Sequence, residues 1–161
     1  MGLDAFVYCD CYEKGRLRES PPTGFSLSVE PDGGLGRAGG DGTLESDLAW
    51  DIWREEQACE HLGGILLHHR LGNITLIGSL RSELQRAAER FPILLKQVVY
   101  SGSHAGDFLP VETIPILQIE LKLLHEFRCN TRKTTSFMAR FNTQMSELAT
   151  TALSVGKPIA F

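Results

Sequence analysis

The chain has 161 residues, 42% of them hydrophobic and 22% charged, with a formal net charge of -4 and a pI near 5.7. That length suits one domain with a single substantial core, and the composition is too apolar for a disordered chain. The acidity argues against a general nucleic-acid binder, whose affinity rests on Lys and Arg neutralising phosphates.

Leu3 to Cys9 is an apolar run containing Phe6, Val7 and Tyr8 and predicts a buried first strand. Asp4 and Asp10 interrupt this start, no basic leader precedes it, and Phe6 stands where a myristoylation pattern needs Ser or Thr. No apolar run reaches membrane-spanning length, so the expectation is a cytoplasmic protein with no membrane contact. In that compartment Cys9, Cys11, Cys59 and Cys129 are expected as reduced thiols or metal ligands rather than structural disulfides.

Cys11 to Pro22 has a loop composition, and Phe25, Leu27 and Val29 then alternate with Ser26, Ser28 and Glu30 as in a strand with one wet face. Residues 31–42 carry Gly33, Gly34, Gly36, Gly39, Gly40 and Gly42, which predicts a flexible glycine-rich loop. From Thr43 to about Ala58 the spacing of Leu44, Leu48 and Ile52 predicts a helix with those three on its core face. One of Trp50 and Trp53 then falls at the exposed edge of the core, with Glu55 and Glu56 beside them as an acidic rim. Ile65 to His69 reads as a short strand that sends His68 and His69 to opposite faces. Ile77, Leu80, Leu84, Ala87 and Phe91 mark a helix ended by Pro92, and Ile93 to Tyr100 reads as a central strand. Thr113 caps a helix starting near Pro115, with Leu117, Leu121 and Leu124 as its apolar stripe. Arg128 to Lys133 reads as a solvated turn before a last helix carrying Phe137, Phe141, Met145, Leu148 and Ala152, which Gly156 and Pro158 stop. The sum is one α+β domain, 1–161, with a small mixed sheet packed by about four helices.

Four groups of residues can carry chemistry. Gly34, Gly36 and Gly39 match the spacing of a dinucleotide-binding turn, but Pro31-Asp32 breaks the approach and Gly40-Asp41-Gly42 separates the match from its helix. Cys9 and Cys11, two apart on an extended segment, point their sulfurs the same way, and Cys59 and His61 repeat the spacing. Together these four can close a tetrahedral zinc site; each cysteine also fits as a small buried hydrophobe. In the loop after the expected central strand, Asp107 is placed to orient His104 as a general base, with Ser103 or Cys9 as nucleophile for a hydrolase or transferase. The same loop also reads as a tight turn in which Ser, His and Asp satisfy backbone groups. Trp50, Trp53, Glu55 and Glu56 fit a partner-binding surface.

Several stretches carry a family resemblance: the opening Met1-Gly-Leu-Asp-Ala-Phe-Val-Tyr-Cys-Asp-Cys-Tyr-Glu-Lys-Gly15, Cys59-Glu60-His61, Leu67-His-His-Arg-Leu-Gly-Asn73, Tyr100-Ser-Gly-Ser-His-Ala-Gly-Asp107 and Val155-Gly-Lys-Pro-Ile-Ala-Phe161. Through these the chain resembles, over nearly its whole length, a family of small bacterial cytosolic proteins. That family looks like the immunity proteins of polymorphic toxin systems. The resemblance implies a binding protein that neutralises a cognate protein toxin by contact and carries over no catalytic role, and the acidity of the chain suits a basic toxin.

Overall fold

A computed structural model of the chain describes residues 2–127 and 132–161; residues 128–131, with Cys129 and part of the basic cluster, lie outside the described residues. The α+β expectation holds. Ten elements organise the described chain: β1 (Gly2–Tyr8), β2 (Phe25–Val29), β3 (Leu35–Gly39), α1 (Leu44–Ile52), β4 (Ile65–Asn73), α2 (Ile74–Leu84), β5 (Phe108–Leu109), α3 (Ile114–Glu126), α4 (Arg132–Val155) and β6 (Ile159–Ala160). One sheet has the order β4-β1-β6-β5, and β2 pairs with β3 in a second. The described strand pairings are all antiparallel, so neither sheet mixes directions.

In β1 the side chains alternate as a half-buried strand requires, Leu3, Ala5 and Val7 facing inward. They meet Ile77, Leu80 and Leu84 of α2, Leu117, Leu121 and Leu124 of α3, and Phe141, Met145 and Leu148 of α4 in the main core. Asn73 ends β4 and caps α2, its side chain accepting from Leu76 N at 2.9 Å, so strand passes to helix without a loop. His68 stands 3.5 Å from Asp4 while His69 meets Glu147 of α4 at 2.7 Å, which places them on opposite faces as expected.

Ile93 to Tyr100 is not a strand. Leu95 N donates to Phe91 O at 3.0 Å and Val99 N to Leu94 O at 2.7 Å, a short helical segment with Leu94 and Val98 buried four apart. Its first amides are capped from α3, where the buried Glu120 carboxylate accepts from Ile93 N at 2.7 Å and Leu94 N at 2.8 Å. A run rich in Leu and Val suits either state locally, and this distant cap favours the helix.

The segment 31–42 is also not a loop throughout. Pro31-Asp32-Gly33 makes a tight turn, Gly33 N donating to Glu30 O at 2.8 Å with Gly33 at φ 90°, and Leu35–Gly39 returns along β2. Behind this hairpin lies a second, small core of Trp50, Trp53 and Ala58 against Leu17, Phe25, Leu27 and Leu35. The face of α1 is accordingly the reverse of the expected one. Trp50 and Trp53 are 3% and 2% exposed, whereas Leu44, Leu48 and Ile52 are 75%, 52% and 51% exposed. The hairpin supplies an aromatic and cationic wall that matches the indoles rather than the aliphatic chains. The ring centroids of Trp50 and Phe25 are 5.5 Å apart, and the Arg37 guanidinium stands 5.0 Å from Phe25 and 5.5 Å from Trp50.

Candidate metal centre

Antiparallel pairing sets the C-terminal end of β1 beside the N-terminal start of β4, since Tyr8 faces Ile65. Cys9 and Cys11 lie just past one end and Cys59 and His61 just before the other, so residues some fifty positions apart meet at the same sheet edge. The register skips Leu66 between the Val7↔Leu67 and Tyr8↔Ile65 pairs, a bulge that twists the strand end where the ligands begin. Cys9 N then donates to Gly64 O at 2.8 Å, continuing the ladder into the site. Gly63 and Gly64, at φ 59° and 72°, turn the chain from His61 into β4. Ahead of Cys59, α1 passes into a wider π-type turn at Trp53–Gln57, closed by Ala58 N donating to Trp53 O at 2.8 Å.

The thiols of Cys9, Cys11 and Cys59 and one imidazole nitrogen of His61 all lie within 4.8 Å of one another. Cys9 Sγ is 3.7 Å from Cys59 Sγ, and His61 Nδ1 is 3.5 Å from Cys11 Sγ and 4.0 Å from Cys59 Sγ. A disulfide would need sulfurs about 2 Å apart, and the three cysteines are free. The cluster can hold a metal ion.

Burial pushes the Cys9 thiol up to about 12, with the neighbouring Cys11 and Cys59 sulfurs adding to the rise against the Cys11 backbone amide. Burial also raises Cys11, opposed by the hydrogen bond with Cys9, helped by Cys59 and opposed to a lesser degree by Arg16. The Cys9 and Cys11 thiols therefore hold their protons until a cation displaces them. Between the first two cysteines, Asp10 pairs with Arg16 and stands 3.4 Å from Lys14. Burial works against its ionisation, but Lys14 and Arg16 outweigh it and hold the carboxyl below its ordinary value. These pairs, and Arg16 N donating to Cys11 O at 2.7 Å, fix the turn that aims Cys11. Glu60 lies 4.0 Å from His61 Nε2, the nitrogen that faces away from the thiols.

A cavity of about 30 Å³ adjoins the cysteines, lined in part by Tyr8, Tyr12, Leu17 and Lys157. It has room for little more than a water molecule, far below the several hundred Å³ of an organic ligand site. Lys157 is the residue here that sequence reasoning missed. Its buried ammonium pairs with Glu13 and donates to Gly33 O at 3.0 Å, tying the segment before β6 to the hairpin turn.

The structure places the other predicted residues elsewhere. Trp50 and Trp53 are interior, and Trp53 Nε1 donates to Glu19 O at 3.2 Å, so neither forms the exposed aromatic anchor expected of them. Glu55 and Glu56 are exposed, as expected of a rim. His104 is held between the rings of Tyr100 and Phe161, with centroids 4.7 and 4.8 Å away, and its side chain is 5% exposed. Its Nε2 donates to Val98 O at 2.9 Å; its Nδ1 stands 3.3 Å from Asp107 Oδ2 without hydrogen-bond alignment. The Tyr100 hydroxyl donates to that same carboxylate, and no described hydrogen bond joins Ser103 to His104. Gly36 and Gly39 lie in β3 and Gly34 in the turn before it, so the glycines build a hairpin strand and not the strand-to-helix turn that would set a pyrophosphate on the N-terminus of α1. Among known proteins, no family model, no curated protein and no solved structure matches the chain.

Proposed function

We propose that this protein is a zinc-stabilised interaction module in which Cys9, Cys11, Cys59 and His61 hold one Zn²⁺. The observation that carries this reading is the spacing of the donors. A tetrahedral ion with arms of about 2.3 Å to sulfur and 2.05 Å to nitrogen has sulfur–sulfur edges of about 3.8 Å and sulfur–nitrogen edges of about 3.6 Å. The 3.7 Å separation of Cys9 and Cys59 and the 3.5 and 4.0 Å separations to His61 lie close to those edges, and since the whole set falls within 4.8 Å a small inward adjustment of side chains closes the tetrahedron. Soft thiolates with one imidazole select zinc over oxygen-seeking cations, and four protein ligands leave no position for substrate water, which supports a structural role over a catalytic one. The metal would fix the small helix–hairpin layer to the sheet.

Metal analysis of protein purified under reducing, chelator-free conditions should give one zinc per chain, and Cys59→Ser should weaken zinc affinity at least about tenfold in a chelator-competition titration. A well-folded protein with no stoichiometric zinc would sink the reading. Toxin neutralisation, implied by the resemblance, is one use such a module would have, and the net charge of -4 supports a basic target. Rescue of growth on co-expression with the toxin, through a tight complex, is the outcome that reading requires.

A further inference from the structure

We infer that the outer face of α1, a stripe of Leu44, Leu48 and Ile52 inside an acidic rim, is the docking surface for a basic amphipathic helix of a protein partner. The inference rests on the interaction-module reading and names the partner's chemistry. Because Trp50 and Trp53 turn inward, the three aliphatic side chains, four apart, line up on the solvent side over about 12 Å of helix. Beyond the helix the chain exposes another aliphatic residue, Leu62, 72% exposed, next to Gly63, where a Cβ would stand 2.8 Å from Glu55 Oε2. Contiguous aliphatic exposure of this kind marks an interaction site, whereas single exposed leucines do not.

Charge decides the occupant. Glu45, Asp51, Glu55 and Glu56 border the stripe, all exposed. The cations near them are already engaged, Arg54 with Glu55 at 3.0 Å and Arg37 with Asp47 at 2.6 Å. No described ion pair takes Glu45, Asp51 or Glu56. A second copy of the chain, meeting this face across a two-fold axis, would set acid against acid. A membrane-surface helix needs Lys and Arg, not carboxylates, beside its apolar face. A partner helix with an apolar ridge at i, i+3 and i+4 and Lys or Arg on its flanks meets both requirements, filling the stripe and pairing the rim. Cys59 and His61 flank this surface in sequence, so the same metal would hold the C-terminal end of α1 and Leu62 in place.

The test uses the full-length, zinc-loaded protein and a fluorescein-labelled synthetic helix of Leu and Lys in that pattern, with a Leu/Glu helix as its counterpart. Fluorescence anisotropy should show saturable binding of the Leu/Lys helix and at least about tenfold weaker binding of the Leu/Glu helix. Leu44→Gln/Leu48→Gln/Ile52→Gln should weaken Leu/Lys binding at least about tenfold with far-UV circular dichroism and tryptophan fluorescence unchanged. Glu45→Lys/Glu56→Lys should reverse the preference between the two helices. Equal binding by wild type and the triple-Gln protein, or no binding at all, overturns the proposal. So do self-association that the triple-Gln change abolishes and equally tight attachment to anionic phospholipid vesicles. Zinc is counted on the same samples. Binding without zinc removes the metal reading and keeps the surface; zinc without binding does the opposite.

Discussion

The two cores of this protein are built to different standards. The main one gathers 25 buried hydrophobic residues from strands β1 and β4 to β6 and helices α2 to α4, together with the segments between them, enough for cooperative folding from apolar burial alone. Its small neighbour has Trp50, Trp53 and Ala58, walled by a hairpin whose β3 carries Gly36 and Gly39. A core of that size does not repay the ordering of the chain around it, and small units elsewhere recruit metals or cross-links for the same reason. The cysteine cluster and the Lys157 tie sit where the small layer joins the large one.

Both tryptophans of the chain belong to the small core, so their fluorescence reports that region, while circular dichroism at helical wavelengths reports chiefly α2 to α4. With zinc held as proposed, the largest expected effect comes from stripping it with a strong chelator. Tryptophan emission should shift to the red and its unfolding midpoint fall sharply, with the helical signal largely kept; loss of both signals together would mean that the two cores are one cooperative unit. Next is Glu120→Ala in the main core, which leaves two buried amides without an acceptor and should cost about 3 kcal/mol by urea denaturation. Burial raises the Glu120 carboxyl, against the hydrogen bonds from Leu94 and Ile93. The proton-linked part of its contribution to stability is therefore full below the ordinary carboxyl range and is lost as pH rises through its folded value, while the two hydrogen bonds to the carboxylate remain; Glu120→Gln should flatten that slope. Lys157→Met breaks the tie between the cores and should cost about 2 kcal/mol, lowering the fluorescence midpoint more than the helical one. Leu48→Ser should change either midpoint by less than about 0.5 kcal/mol, because its side chain lies on the solvent face; a loss of several kcal/mol would put Leu48 back in a core.

Sequence reading succeeded where the signal was local or periodic. The alternation in β1, the stripe of α3 and the apolar spacing of α4 each reflect one face against one core, and the structure has all three. The four metal-centre residues were legible as two pairs of like spacing, although their meeting depends on β1 and β4 being neighbours, which no spacing reveals. Readings failed where a distant group decided. The helical state of Leu94 to Val98 depends on Glu120, 26 residues beyond Leu94. The α1 helix carries apolar residues on two faces, and only the hairpin selects the indoles. That hairpin did have a local sign, since Pro31-Asp32-Gly33 is a turn sequence between two strands, but the glycine density around it suggested a loop.

Because Tyr8 pairs with Ile65, everything from Cys9 to Gly64 is topologically one long connection between adjacent antiparallel strands. An ion gripping both ends of it would act on the unfolded chain as well as the folded one. Cross-linking positions separated by 50 residues removes loop entropy worth about 4 kcal/mol at room temperature, by the measure applied to disulfides. The excursion that carries α1 could then lengthen or vary in sequence at little thermodynamic cost, since closure entropy grows only with the logarithm of loop length. A surface on such an excursion is free to change its partner while the sheet beneath it stays the same.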